Sequence, residues 1–163
     1  MQAKICGLKT IEQVKACVKN NADFCGFILN YPKSHRFIDY QTAQNLTNIE
    51  RQNTKFVGVL VDPKDDEIKN FARLNLDYFQ IYGDIDINKI NEIKKKFKKK
   101  IIIALQIKTE QDVLRYKMYK KNADIILFDS TGLQKSLSWN YKWIENLPKT
   151  FKKMLAGNIS IEM

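Results

Sequence analysis

The stretch "KFVGVLVDPKDDEIKNFARLNLDYFQIY", residues 55–82, contains two short apolar runs separated by a stretch of helical length. The runs at 55–61 and 77–82 are rich in β-branched and aromatic residues, which favour strands. Their nearly continuous apolarity is typical of strands that are buried on both faces. The stretch therefore predicts one βαβ unit whose two strands are parallel.

The same pattern recurs along the whole chain. Further apolar runs rich in Ile, Val and Phe lie at 2–6, 23–29, 100–106, 123–129 and 151–157, so predicted strands begin about every 22 to 32 residues. Apolar residues recur at helical spacing between the runs, as in Ile11, Val14 and Val18, and in Ile87, Ile90, Ile93 and Phe97. This spacing predicts seven consecutive βα units with right-handed crossovers.

Three of the predicted strands follow an aspartate. Asp23, Asp77 and Asp124 stand in "ADF" (22–24), "LDY" (76–78) and "ADI" (123–125). The turns that lead into these strands are therefore expected to be alike.

Seven parallel strands fit two α/β architectures. A doubly wound sheet usually has a glycine-rich phosphate turn after its first strand, and "CGLKTIEQ" (6–13) has a single glycine. The alternative is a (βα)8 TIM barrel that stops after strand seven. In that fold the chemistry lies at the carboxyl ends of the strands.

Length and composition favour one soluble, cytoplasmic domain. The 163 residues suffice for one well-filled core, contain no run of about 18 apolar residues and begin without an apolar signal segment. The three cysteines, Cys6, Cys17 and Cys25, form no C-x-x-C pair, so we expect reduced thiols and not a disulfide framework or a zinc site.

The formal net charge of +10 allows two interpretations. A basic chain attracts anionic partners such as a phosphorylated metabolite or nucleic acid. The simpler interpretation, which we favour, is that "IKKKFKKK" (93–100) is the solvated end of a helix, because its lysines are not interleaved with stacking aromatic residues.

Polar residues stand where the predicted strands end. A thiol, a guanidinium and carboxylates around one barrel mouth would suit acid–base chemistry on an anionic molecule. The residues at or just after strand ends are Cys6, Arg36, Asp62, Gln80, Asp129, Gly157 and Asn158.

Several motifs in order give the chain a specific resemblance. They are "KICGLK" (4–9), "GFILNYPKSHRFI" (26–38), "VGVLVD" (57–62), "QIYG" (80–83), "LFDS" (127–130) with "KSLSW" (135–139), and "LAGNI" (155–159). Together they resemble the phosphoribosylanthranilate isomerases of tryptophan biosynthesis. Members of that family are (βα)8 barrels that convert N-(5-phosphoribosyl)anthranilate to 1-(2-carboxyphenylamino)-1-deoxyribulose 5-phosphate by an Amadori rearrangement, without metal or organic cofactor.

The resemblance implies a role for each matching residue. Cys6 would be the general base at C2 of the sugar, and Asp129 the general acid at the ring oxygen. Arg36 would hold the anthranilate carboxylate, and Gly157 and Asn158 would approach the phosphate. Gln80 is a further candidate for substrate binding.

The same resemblance implies a small phosphosugar substrate and a monomer or homodimer, with no nucleic-acid or membrane partner. The single histidine, His35, is expected to be exposed and non-catalytic, and Cys17 and Cys25 to be packing residues.

The chain departs from the family pattern at several positions. Tyr82 stands where the family often has the histidine of Gln-Leu-His-Gly, Gly132 is alone in a loop that is usually richer in glycine, and Asn158 replaces the second glycine of the phosphate loop. The sequence also stops at Met163, before an eighth strand and helix. We expect residues 1–163 to be a single barrel domain that is incomplete at its C-terminus, a fragment in preference to a degenerate barrel.

Two other functions remain open from the sequence. One is another phosphosugar barrel enzyme, such as the neighbouring synthase of the pathway, although no strand end here carries the lysine and glutamate pair on which that enzyme relies. The other is a non-catalytic basic module, which would bind unrelated oligonucleotides with a steep dependence on salt.

Overall fold

The computed structural model describes residues 2–131 and 137–159. Within them seven parallel strands form one sheet in the order of the chain, and each strand pairs with the next. The strands are β1 Lys4–Cys6, β2 Phe24–Ile28, β3 Lys55–Val61, β4 Tyr78–Tyr82, β5 Lys100–Ile107, β6 Ile125–Ser130 and β7 Lys153–Leu155. All seven predicted strands are confirmed, and the unbroken order is that of a curled TIM-barrel sheet and not of a doubly wound one.

Helices cover the outside of this sheet. They are α1 Ile11–Lys19, α2 Tyr40–Thr47, α3 Asp65–Phe71, α4 Ile87–Phe97, and the short α5 Glu110–Val113 and α6 Tyr116–Tyr119. The predicted inward face of α4 is confirmed, because Ile90 and Ile93 are buried. The prediction that residues 93–100 form the end of this helix is half right, because the helix stops at Phe97 and Lys100 already begins β5.

Two predictions about the helices are wrong. Ile11 is 42% exposed, because the first turn of α1 is held by a capping box between Thr10 and Gln13 and contact with the core begins one turn later, at Val14. The crossover from β6 to β7 has, in its described part, only the 3-10 helix Tyr141–Ile144. Pro148 follows closely, and a proline disfavours helix in the residue before it.

The strands divide the core into two layers. The outward layer packs under the helices and includes Phe27, Phe56, Phe79, Ile101 and Phe128. The inward layer fills the concave side of the sheet with Phe24, Ile28, Val57, Val59, Tyr78, Tyr82, Ile102, Ala104, Ile125 and Leu127. The concave side is thus a packed interior, as in closed barrels, and polar residues on it stand out.

The three aspartates that precede strands act alike. The carboxylates of Asp23, Asp77 and Asp124 each accept a hydrogen bond from a backbone N–H at or next to the start of the preceding strand, from Ala3, Phe56 and Ile101, each at 2.8 Å. These bonds fasten neighbouring strands at the amino-terminal face. They leave the opposite face, where the strands end, for the polar residues of the mouth.

Among the residues described, β1 pairs only with β2 and β7 only with β6, so the sheet is open between its two outer strands. None of the helices in the described ranges is both long and apolar enough to cross a lipid bilayer.

Candidate active site

The end of β1 places a thiol and an arginine side by side. Cys6 is the last residue of β1, and Gly7 has a φ of +83°, which favours glycine. A Cβ on Gly7 would lie 2.4 Å from Cδ of Arg36. Glycine follows the cysteine because only glycine both makes the turn and leaves room for the arginine side chain.

Arg36 is held by the loop that follows β2. The end of this loop forms a parallel bridge with the end of β2, in which the N–H of Ile38 donates to the carbonyl of Ile28 at 3.0 Å. Within the loop, the buried Ser34 hydroxyl accepts from the N–H of Arg36 at 3.2 Å. The Nε of Arg36 is buried and has no partner among the described residues. A buried guanidinium nitrogen of this kind suits an acceptor such as a carboxylate.

Lys4 accompanies Cys6 on the same face of β1, two residues earlier. A Cβ on Gly26, in the adjacent strand, would lie 2.8 Å from Sγ of Cys6 and 2.9 Å from Nζ of Lys4. The ammonium and the thiol therefore share the space that the glycine leaves open.

Asp129 is bound through both of its carboxylate oxygens. Oδ1 accepts from the N–H of Ser130 at 2.8 Å, and Oδ2 accepts from the hydroxyl of Tyr82 at 2.5 Å. The Tyr82 oxygen in turn accepts from Nε2 of Gln80 at 3.2 Å. Asp129 is partly exposed at the mouth, whereas Gln80 and Tyr82 are buried in the interior below it.

Tyr82 also lies within electrostatic reach of Cys6. Burial raises the pKa of the Tyr82 hydroxyl well above its usual value, and the negative charges of Asp129 and of a Cys6 thiolate raise it further. The tyrosine therefore keeps its proton at neutral pH. Its hydroxyl is hydrogen-bonded to the predicted acid, Asp129.

Gly157 and Asn158 follow β7, next to the end of β6. Their φ angles are +98° and +40°, and a Cβ on Gly157 would lie 3.0 Å from Cβ of Ser130. The hydroxyl of Tyr141 donates to the carbonyl of Gly157, and Nδ2 of Asn158 donates to the Ser138 hydroxyl at 2.9 Å. This turn therefore lies beside Ser130, the residue that follows Asp129 in the chain.

The remaining polar residues and cysteines make no side-chain hydrogen bond to Cys6 or Asp129 in the described structure. Asp62 is exposed, and its carboxylate lies over Gly83. His35 is exposed, as predicted. Cys25 is fully buried, where desolvation and the neighbouring Cys17 raise its pKa to about 12, so both cysteines are packing residues.

Two residues of the site are not predicted from the sequence. They are Lys4 and Tyr82. Lys4 is two residues from Cys6 and Tyr82 is two residues from Gln80, and this spacing places each pair on one face of its strand, which is the signal that could find them. The loop with Gly132 and Lys135 lies outside the described residues.

The arrangement offers a thiol with a cation beside it, a carboxylate with its own hydrogen-bond support, and a guanidinium between two strand ends. A base, an acid and an anion clamp around one mouth are what an acid–base isomerisation of an anionic sugar needs.

The family model for N-(5'-phosphoribosyl)anthranilate isomerase matches residues 3–163 of the chain. The chain belongs to the phosphoribosylanthranilate isomerase family. It is 34% identical to the N-(5'-phosphoribosyl)anthranilate isomerase of Streptococcus mutans over 162 residues, covering 98% of this chain and 77% of the relative. The isomerase of Oceanobacillus iheyensis is 32% identical over 168 residues, covering 99% and 78%.

Solved phosphoribosylanthranilate isomerases have the same fold. The enzyme of Thermotoga maritima superposes with a TM-score of 0.86 at 25% identity, covering 98% of this chain and 78% of that one. An isomerase solved with reduced 1-(o-carboxyphenylamino)-1-deoxyribulose 5-phosphate gives a TM-score of 0.80 at 25% identity, covering 95% and 74%.

Proposed function

We propose that this chain catalyses the Amadori rearrangement of N-(5-phosphoribosyl)anthranilate, with Cys6 as general base and Asp129 as general acid. Membership of the isomerase family supports the reaction. The observation that carries the residue roles is the position of Cys6 and Asp129, each at the carboxyl end of its strand, with Tyr82 in reach of both.

The reaction needs one proton delivered and one removed. The acid form of Asp129 protonates the furanose ring oxygen, the bond from C1 to that oxygen breaks, and the nitrogen lone pair forms the C=N bond of a Schiff base. The thiolate of Cys6 then takes the proton from C2, which gives an enolamine. Tautomerisation places a proton on C1 and removes one from the hydroxyl at C2, so the product is a ketone and no redox partner is required.

The remaining residues would hold the substrate. Arg36 binds the anthranilate carboxylate through its planar guanidinium, and Gly157 and Asn158 bring backbone N–H groups to the phosphate. Gln80 would bind the substrate from within the barrel. We expect the enzyme to act on this small molecule in the cytoplasm, where its three free thiols stay reduced, as a monomer or homodimer.

A turnover assay tests this function. The 163-residue chain is compared with an extended chain, made by adding the C-terminal residues of the Streptococcus mutans relative that lie beyond its match to this chain. Formation of 1-(2-carboxyphenylamino)-1-deoxyribulose 5-phosphate by either version, and its loss in Cys6→Ala, is the expected result. The absence of product from both versions, when each melts cooperatively, would overturn the proposal. The activity of each variant is measured in whichever of the two versions has the higher turnover.

A further inference from the structure

Gln80, Tyr82 and Asp129 form a line of polar groups through an apolar interior. Gln80 is 1% exposed and Tyr82 is 9% exposed. In the register of the sheet Gln80 lies between Val59 on β3 and Ile102 on β5, both of which are buried. A buried amide and hydroxyl carry a desolvation cost, so their hydrogen bonds decide how they are oriented.

The direction of this line is set by the charge of Asp129. A carboxylate only accepts hydrogen bonds, so the Tyr82 hydroxyl must donate to Oδ2 and can only accept from Gln80. Gln80 therefore turns Nε2 toward the tyrosine. Its Oε1 is then left buried with no partner among the described residues.

The line can run the other way when Asp129 is protonated. The carboxylic acid then donates to the Tyr82 oxygen, the tyrosine O–H rotates toward Gln80, and the amide turns to present Oε1 as acceptor. Because Oε1 makes no hydrogen bond in the described structure, this rotation breaks only the bond that it replaces.

We propose that Tyr82 and Gln80 are positioning residues that form a reversible hydrogen-bond relay to Asp129, holding it in place both before and after it gives up its proton. The proposal rests on the proposed function of Asp129 as the acid. The raised pKa of Tyr82 agrees with it, since the hydroxyl reorients without losing its own proton.

The relay has few charged neighbours in the described part of the mouth. From β1 come Cys6 and Lys4, from the loop after β2 comes Arg36, and from the turn after β3 comes Asp62. The residue opposite Asp129 on β5 is the uncharged Gln106, β7 contributes Met154, and Ala156 follows β7 directly. Within the described ranges, the side chain that is hydrogen-bonded to the Asp129 carboxylate is that of Tyr82.

The test is to remove the hydroxyl with Tyr82→Phe and to follow Asp129 directly. The carboxyl carbon of Asp129 is titrated by NMR in the full chain, and the pH profile of kcat is measured. A hydrogen bond donated to ionised Asp129 favours that form. Its loss should therefore move the NMR midpoint of Asp129 and the alkaline limb of the kcat profile upward by about one pH unit. We expect kcat to fall about tenfold, with less change in KM.

Matched variants separate a relay from a packing effect. Tyr78 is buried on the same face of β4 at the other end of the interior, so Tyr78→Phe should leave the NMR midpoint unchanged. Gln80→Leu should shift the midpoint in the same direction by less than Tyr82→Phe does. Tyr82→His, which keeps a donor and an acceptor, should retain much of the kcat that Tyr82→Phe loses.

The two proposals fail separately. A midpoint and an alkaline limb in Tyr82→Phe that match those of Tyr78→Phe would overturn the relay, whatever the enzyme turns over. If the NMR midpoint of Asp129 moves upward in Tyr82→Phe but the native chain forms no product, the hydrogen-bond relay stands and the proposed function is overturned instead.

Discussion

At the scale of single residues, the site depends on neighbours that leave space. Gly7 leaves room for the stem of Arg36, and Gly26 leaves room for the side chains of Cys6 and Lys4. The reactive groups of the mouth can therefore approach one another without displacing the strands. A substitution at either glycine should act on the site through sterics, whereas a substitution at Cys6 or Asp129 should act on the chemistry.

Removing the proposed base or acid should abolish turnover and spare the fold. Cys6→Ala and Asp129→Asn are each expected to lower kcat by about 10²- to 10⁴-fold, the usual contribution of a general acid or base. Cys17→Ala is the matched control, because it removes a thiol that packs on the helical side of β2. Steady-state kinetics and thermal melts check this, and a loss below tenfold in either catalytic variant would remove its assignment.

Arg36 should act through geometry as well as charge. Arg36→Lys keeps the positive charge and loses the planar fork, so we expect KM to rise about tenfold with a smaller change in kcat. Arg73 is exposed, and Arg73→Lys serves as the control that should leave KM as it is. An unchanged KM in Arg36→Lys would show that the Arg36 guanidinium has no part in binding.

At the scale of elements, the strand-leading aspartates hold neighbouring strands in register. The carboxylate of Asp77 accepts from the buried N–H of Phe56 and pairs with Arg51, both at 2.8 Å. Asp124 repeats the device, accepting from Ile101 and pairing with Lys94 at 3.0 Å. The bonds join each strand to the one before it at the face opposite the site.

Removing one of these carboxylates should cost stability and not chemistry. Asp77→Ala leaves the buried N–H of Phe56 without an acceptor, which should lower the free energy of unfolding by about 1–3 kcal/mol. Asp84→Ala breaks the more exposed pair with Arg115 and should change it little. Urea denaturation compares the two variants, and equal losses would show that Asp77 is only a surface charge.

Element order was readable from the sequence because each buried strand is a continuous apolar run. The predictions failed where local polar bonds outweigh periodicity, as in the capped first turn that exposes Ile11. The hydrogen bond between Tyr82 and Asp129 spans 47 residues and depends on the register of β4, β5 and β6 together. Motifs could locate the two residues, but no local pattern predicts that they touch.

At the scale of the whole molecule, the described sheet has two outer strands. β1 and β7 each have one partner, and beside them lie the partly buried inward residues Cys6, Met154 and Ala156. Ile5, on the outer face of β1, is 45% exposed. Unpaired strand edges with apolar residues beside them favour association between chains. In the described residues the mouth is open on this side, between Cys6 on β1 and the glycine turn after β7.

Closing this gap should change stability, association and turnover together. The chain spans 77% of its Streptococcus mutans relative, and the rest of that relative supplies the extended chain. A further βα unit that pairs with both outer strands would bury their N–H and C=O groups, so we expect the melting temperature to rise by on the order of 5–10 °C and concentration-dependent association to fall. Turnover should rise as well, because the phosphate side of the mouth is completed.

An extension of equal length and composition in scrambled order is the control, measured by differential scanning calorimetry, light scattering and product formation. If the 163-residue chain already melts at the temperature of the extended one and matches its turnover, its outer strands must be closed in another way, such as by a second copy of the chain. Light scattering on the short chain would then show a dimer.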